Sequence, residues 1–194
     1  HVTLNQIFAG MLPFMGIQVL AIVLLYQFPE IGLWLPQLIK AAGEFTNVEV
    51  GWLTAVPYAV AAVGMVLIGR HSDLTGERHM HLTIPALVGA CGFLLVSTAE
   101  GTGWLVAALC LAAFGVLGWL GPFWALPTAF LKGEAAAGGV ALINSMGAFG
   151  GFVGPYLLGK LKESSGNFVS GLILLAASML VGVAVTLLLR RRSR

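Results

Sequence analysis

The sequence predicts an all-α, polytopic membrane protein of six transmembrane helices, and three observations carry that prediction. Of 194 residues 58% are hydrophobic and only 9% are charged, with a mean hydropathy of +0.94. Cutting the chain at its charges leaves six apolar stretches of membrane-crossing length. The connections between them are short and hold nearly all the ionisable residues. A soluble domain carries about 25% charged residues because its surface must be solvated. A chain with so few must turn apolar surface toward lipid, so the bilayer is its first expected partner.

A bilayer core needs about 20 apolar residues in a helix. The stretches that qualify are approximately 8–38, 52–69, 82–98, 103–131, 136–159 and 168–189. The first is long for one span, and Pro29-Glu30 interrupts it. Proline removes a backbone donor and clashes with the preceding turn, so two forms are open: one long kinked helix, or a helix ending near Pro29 followed by an interfacial segment. Glu30 is then either an intramembrane carboxylate, a functional position by default, or a group at the interface. Gln18 and Gln27 are polar enough to avoid lipid.

The second span carries Tyr58 beside Pro57. The fourth holds Trp119, Gly121, Pro122, Phe123, Trp124 and Pro127. Gly and Pro weaken a membrane helix locally, and broken helices are where transporters bind or gate. Its aromatic rings either pack over a ligand, close the outer path, or belong to the interfacial aromatic belt. In the fifth span Asn144, Gly147, Gly151 and Gly154 follow spacings of three, four and three, which puts them on one helix face. Small residues there let another helix approach closely, and an amide among them needs a polar partner. Asn144 is either interhelical glue or a cavity contact. Cys91 and Cys110 lie in apolar runs without metal-type spacing and read as small packing residues.

Lys and Arg set the orientation. With six spans both ends share one side, which holds Arg70, Arg78, Lys132, Arg190, Arg191, Arg192 and Arg194; the other holds only Lys40, Lys160 and Lys162. Seven against three puts both termini in the cytoplasm of a protein of the inner (plasma) membrane. No basic flank precedes the first apolar run, so no cleavable signal peptide is evident. The chain opens on His1 rather than Met, and an upstream part is expected.

The connection after the second span reads Gly69-Arg70-His71-Ser72-Asp73, then Leu74-Thr75-Gly76-Glu77-Arg78-His79. Glycines at both ends are expected to let the chain reverse, Asp73 to accept bonds at a helix N-terminus, and Arg70 and Arg78 to pair with acids or headgroups. An ordinary basic loop obeying charge topology satisfies the same residues. The pattern Gly-x-x-x-Asp-x-x-Gly-x-Arg resembles the cytoplasmic loop signature of the major facilitator superfamily, and its wording is similar to the second copy in the anion:cation symporter branch (tartrate, phthalate, hydroxyphenylacetate and sugar-acid permeases). The stretches 34–40, 133–139 and 142–156 agree with that resemblance in the family's order.

The resemblance implies that these are helices seven to twelve, one half of a twelve-helix fold whose N-terminal six-helix half is a missing partner. Gly69, Arg70, Asp73, Gly76 and Arg78 would form a cytoplasmic gate latch, and Asn144, Tyr58, Trp124 and Gln18 would contact substrate. Gly147, Gly151 and Gly154 would serve helix packing. Ala148 stands where the family often has a second Asn. Substrate would be a small organic anion carried with H+ by symport. No Lys or Arg lies at mid-span, and in the family the carboxylate-binding arginines and proton-coupling acids lie mainly in the other half. This chain alone is expected not to transport.

Other classes fare poorly. A net charge of +2 gives no nucleic-acid footprint. There is no Gly-x-Ser-x-Gly elbow, His-Glu-x-x-His helix or phosphate-binding Gly-x-x-x-x-Gly-Lys loop, so no enzyme, cofactor or ATP-driven pump is indicated. His71, His79 and His81 read as solvated loop histidines and not as a metal site. Two rivals remain: a self-sufficient six-helix transporter acting as a dimer, and a non-transporting membrane scaffold subunit.

Overall fold

The computed structural model of the chain describes residues 30–192, and these form helices joined by short turns. In order they are α1 (Glu30–Ala41), α2 (Asn47–Thr75), α3 (His79–Ser97), α4 (Thr102–Gly118), α5 (Leu120–Phe130), α6 (Glu134–Ser165) and α7 (Val169–Arg192). Among the described residues five segments are long and apolar enough to cross a membrane, α4 and α5 counting together as one. The chain is therefore a polytopic α-helical membrane protein. Of the stretch expected at 8–38, only the end is described, as α1; Gln18 and Gln27 lie outside the described residues. Glu30 is the first residue of α1.

The second span is longer than its apolar stretch because both ends are capped. Thr46 Oγ1 accepts from Glu49 N at 3.3 Å while Glu49 Oε2 accepts from Thr46 N at 2.8 Å. This reciprocal capping box starts α2 five residues before Trp52. At the other end Gly76 takes φ +67°, the left-handed value that favours glycine, and stops the helix after Thr75. At 29 residues α2 is about 43 Å long, so its ends stand outside a hydrocarbon core of about 30 Å.

The span expected at 103–131 is two helices. Pro122 has no N–H to offer the carbonyl of Gly118, and α4 ends at Gly118 while α5 begins at Leu120. Phe123 N still donates to Trp119 O at 3.0 Å, so the axis is interrupted without the chain leaving the bundle.

A tight block forms around α4, which packs against both α2 and α3, and α3 packs in turn against α7. Close approach is possible because small residues meet. A Cβ added at Gly115 would fall on the backbone of Gly89, and one at Gly92 on the backbone of Ala112. Phe93, Leu105, Leu109, Leu172 and Ala176 continue this contact into one buried core, which Leu35, Leu38 and Ile39 of α1 close at one side. Cys91, expected as a packing residue, is exposed.

The outlier is α6. Its eighteen-residue apolar window is 0% buried, and Leu158 is its one buried residue among the described side chains. Leu158 sits against Gly171 of α7. Nearby, Lys162 Nζ donates to Gln37 Oε1 of α1 at 3.3 Å and lies 4.4 Å from the centre of the Phe168 ring. Leu142, Met146 and Phe149 are each about two-thirds exposed.

Candidate functional site

The α2–α3 turn is the most highly bonded polar part of the described chain. Asp73 lies in the last turn of α2 rather than at a helix N-terminus, and it meets Arg78 across the turn, Nη1 to Oδ1 at 2.5 Å. The same Arg78 nitrogen reaches Ser72 Oγ at 3.1 Å, and Ser72 donates to the carbonyl of Glu77 at 3.0 Å. Ser72 is fully buried, so its hydroxyl needs these partners. The tight return depends on Gly76; Gly69, expected to share that role, is helical and lies beside Gly121 of α5. Arg70 is exposed on α2.

The acceptor at the N-terminus of α3 is Glu77, which takes a 2.7 Å bond from Met80 N. Its carboxylate also lies 3.4 Å from His81 Nδ1 and 3.9 Å from Arg190 Nε of α7. The approach to His81 makes no hydrogen bond. The other face of His81 meets His71, Nε2 to Nδ1 at 2.6 Å, where one nitrogen carries the hydrogen and the other is bare. The histidines are thus not the solvated loop residues expected: His79 and His81 belong to α3 and are half-buried, and only His71 is exposed. His71 and His81 form a pair, and among the described residues no group of three metal-ligating side chains gathers.

Among the described residues Tyr58, Asn144 and Trp124 share none of the three larger pockets. Tyr58 lines a pocket of about 180 Å³ with Leu35, Phe93, Leu109 and Ala113. Neither Asn144 nor Trp124 lines it. Trp124 stands edge-on to Phe123, with ring centres 5.4 Å apart. The closeness of Gly121 to Gly69 puts this tryptophan in the half of the bundle nearest the α2–α3 turn. Asn144 is exposed on α6. No described atom comes within 4 Å of a Cβ placed on Gly147, Gly151 or Gly154, so the stripe of small residues meets no described helix.

Sequence reasoning missed Glu77 and Arg190 as partners and misplaced His71 and His81. The ten-residue spacing of the two histidines about Gly76 was the available signal, since a tight helix-turn-helix brings such positions face to face.

An apolar helical bundle with short charged turns defines a polytopic membrane protein, and the relatives carry transporter names. Over 182 residues the chain is 41% identical to a protein of Agrobacterium vitis named a tartrate transporter, matching 91% of this chain and 40% of that one. It is 39% identical over 156 residues to a quinolone resistance transporter of Acinetobacter baumannii, 80% of this chain and 36% of the other. A D-galactonate transporter of Escherichia coli is 27% identical over 165 residues, 80% and 37% respectively. The chain belongs to the major facilitator superfamily. It spans about two-fifths of the length of the Agrobacterium relatives it matches. No family model and no solved structure matches it.

Proposed function

We propose that this chain is the C-terminal six-helix bundle (residues 1–194) of a secondary transporter for small organic anions, working by alternating access and coupled to protons. The observation that carries the reading is the face of α6. Leu142, Met146 and Phe149 stand exposed on one side of α6 and Asn144, Gly147 and Gly151 on the opposite side, where no described atom lies within 4 Å of a Cβ placed on either glycine. That is a surface shaped for close approach by another helix, and the missing N-terminal half would supply it.

The names of the relatives support a carboxylate substrate, tartrate and galactonate both being hydroxylated acids. A carboxylate calls for a cation, best an Arg fork. The Lys and Arg residues of this chain all sit at span ends, so the partner half would provide the charge. Asn144, Tyr58 and Trp124 would supply neutral contacts, with Gln18 beside them. Gly69, Arg70, Asp73, Gly76 and Arg78 would latch the cytoplasmic gate. The seven-to-three distribution of basic residues supports cytoplasmic termini in a plasma membrane.

The test is uptake of labelled tartrate into liposomes, comparing the whole protein, this chain alone, and the two halves co-reconstituted, each with and without an inward proton gradient. Gradient-driven uptake by the whole protein and the reunited halves, with none by this chain alone, supports the reading. Uptake by the single chain refutes the half-transporter, and uptake indifferent to the proton gradient refutes the coupling.

A further inference from the structure

Between α3, α5 and α7 runs a groove of about 490 Å³ that the transport reading does not use. It opens beside His79 and Leu189, at the end of the bundle where α7 finishes in Arg190 and Arg191, and its floor is Trp119. We propose that this groove binds one acyl chain of an anionic phospholipid, with the phosphate held at Arg190 and Arg191.

Four observations converge on that ligand. The first is depth. From Leu189 to Ser178 the groove follows eleven residues of α7, about 16 Å along a helix, which is the hydrocarbon thickness of one leaflet, half of about 30 Å. The second is width. The lining residues come from three flanking helices, α3, α5 and α7, so the space is a slot along the helix axes that an extended chain can enter.

The third is polarity. Only two hydroxyls on α7 border the groove, and both are already engaged: Ser178 Oγ donates to Leu175 O at 2.7 Å and Thr186 Oγ1 to Gly182 O at 2.8 Å. Apart from those hydroxyls and the indole of Trp119 the depth of the groove is lined by apolar side chains, which suits hydrocarbon. The fourth is charge at the mouth. Arg190 is held in place by Glu77 at 3.9 Å and by Met80 Sδ at 2.9 Å, which fixes a guanidinium at the groove's entrance, and Arg191 beside it is exposed. Arginine pairs bidentately with phosphate, and basic sites between membrane helices at this level recognise anionic headgroups.

The site can be read with the whole protein in nanodiscs, using phosphatidylglycerol or phosphatidylcholine brominated at mid-chain as quenchers of tryptophan fluorescence. The signal from Trp119 is the difference between the protein and its Trp119→Phe variant. Phosphatidylglycerol is expected to quench that signal at about fivefold lower mole fraction than phosphatidylcholine for each arginine engaged. Arg191→Gln, an exposed change that leaves the core untouched, should reduce this preference about fivefold, and adding Arg190→Gln should abolish it.

Gly182→Phe fills the groove from a position with no atom within 4 Å of its Cβ, and should protect Trp119 from both lipids. Equal quenching by the two lipids overturns the headgroup assignment, and unchanged quenching in Gly182→Phe overturns the acyl site. Absence of Trp119 quenching by either lipid means that protein covers the groove, and overturns the proposal as a whole.

Discussion

Arg78 holds Asp73 across the α2–α3 turn with the same nitrogen that reaches the buried Ser72 hydroxyl. One guanidinium therefore ties the last turn of α2 to the start of α3. Asp73 is mostly exposed, so the pair adds little to folding; exposed ion pairs contribute about 0–1 kcal/mol.

Asp73→Asn should accordingly leave the melting temperature of the whole protein within a few degrees, while uptake falls at least tenfold if the turn acts as a latch. Parallel thermal-shift and uptake measurements decide the matter. Unfolding in step with lost uptake would reduce the pair to a structural brace.

Gly76 gives a second, backbone-based check. A side chain at φ +67° costs roughly 1–2 kcal/mol for most L-residues. Gly76→Val should lower stability by about that amount, and Gly76→Asn by less, since Asn tolerates the left-handed region. Thermal unfolding in detergent gives the ranking.

Glycines of α4 and α6 should respond in opposite ways. Gly115→Leu drives a side chain into the backbone of Gly89, and the bundle should fail to assemble, seen as aggregation on size exclusion. Gly147→Leu meets no described atom within 4 Å, so this chain expressed alone should tolerate it. In the whole protein the same change should block docking of the other half and abolish uptake. A whole protein that carries Gly147→Leu and still transports would show that α6 is not an interdomain face.

Asn144→Leu removes an amide from that face without removing bulk. Its expected effect is a tenfold or greater rise in KM for carboxylate uptake at unchanged protein level. Binding of substrate measured by calorimetry checks it, and an unchanged KM removes Asn144 from the substrate contacts.

The apolar segments were plain in the sequence because hydrocarbon imposes length and composition on every span. Helix ends were less plain. Thr46 and Glu49 form a capping box that composition alone does not separate from a polar loop, and Gly69 reads as a turn glycine although it continues a helix. The break before Leu120 follows from Pro122, whose effect on the carbonyl of Gly118 was legible as weakening but not as two helices. Glu77 and Arg190 are 113 positions apart in the chain, and nothing in local pattern announces that they meet. The exposed face around Asn144 was legible as a stripe of small residues; whether such a stripe is covered depends on which neighbours exist, and spacing is silent on that.

Leu158 and Lys162 fasten α6 at one end, and among the described residues the opposite end meets little beyond its own connector Leu131. In the proposed transport cycle the helix would then pivot near Leu158. Asn144 is fourteen residues from that pivot, about 21 Å along the axis, so a tilt of about 10° carries it through roughly 4 Å. If Asn144 contacts the substrate as proposed, a swing of that size would bring it to or away from a bound solute without refolding of the arm.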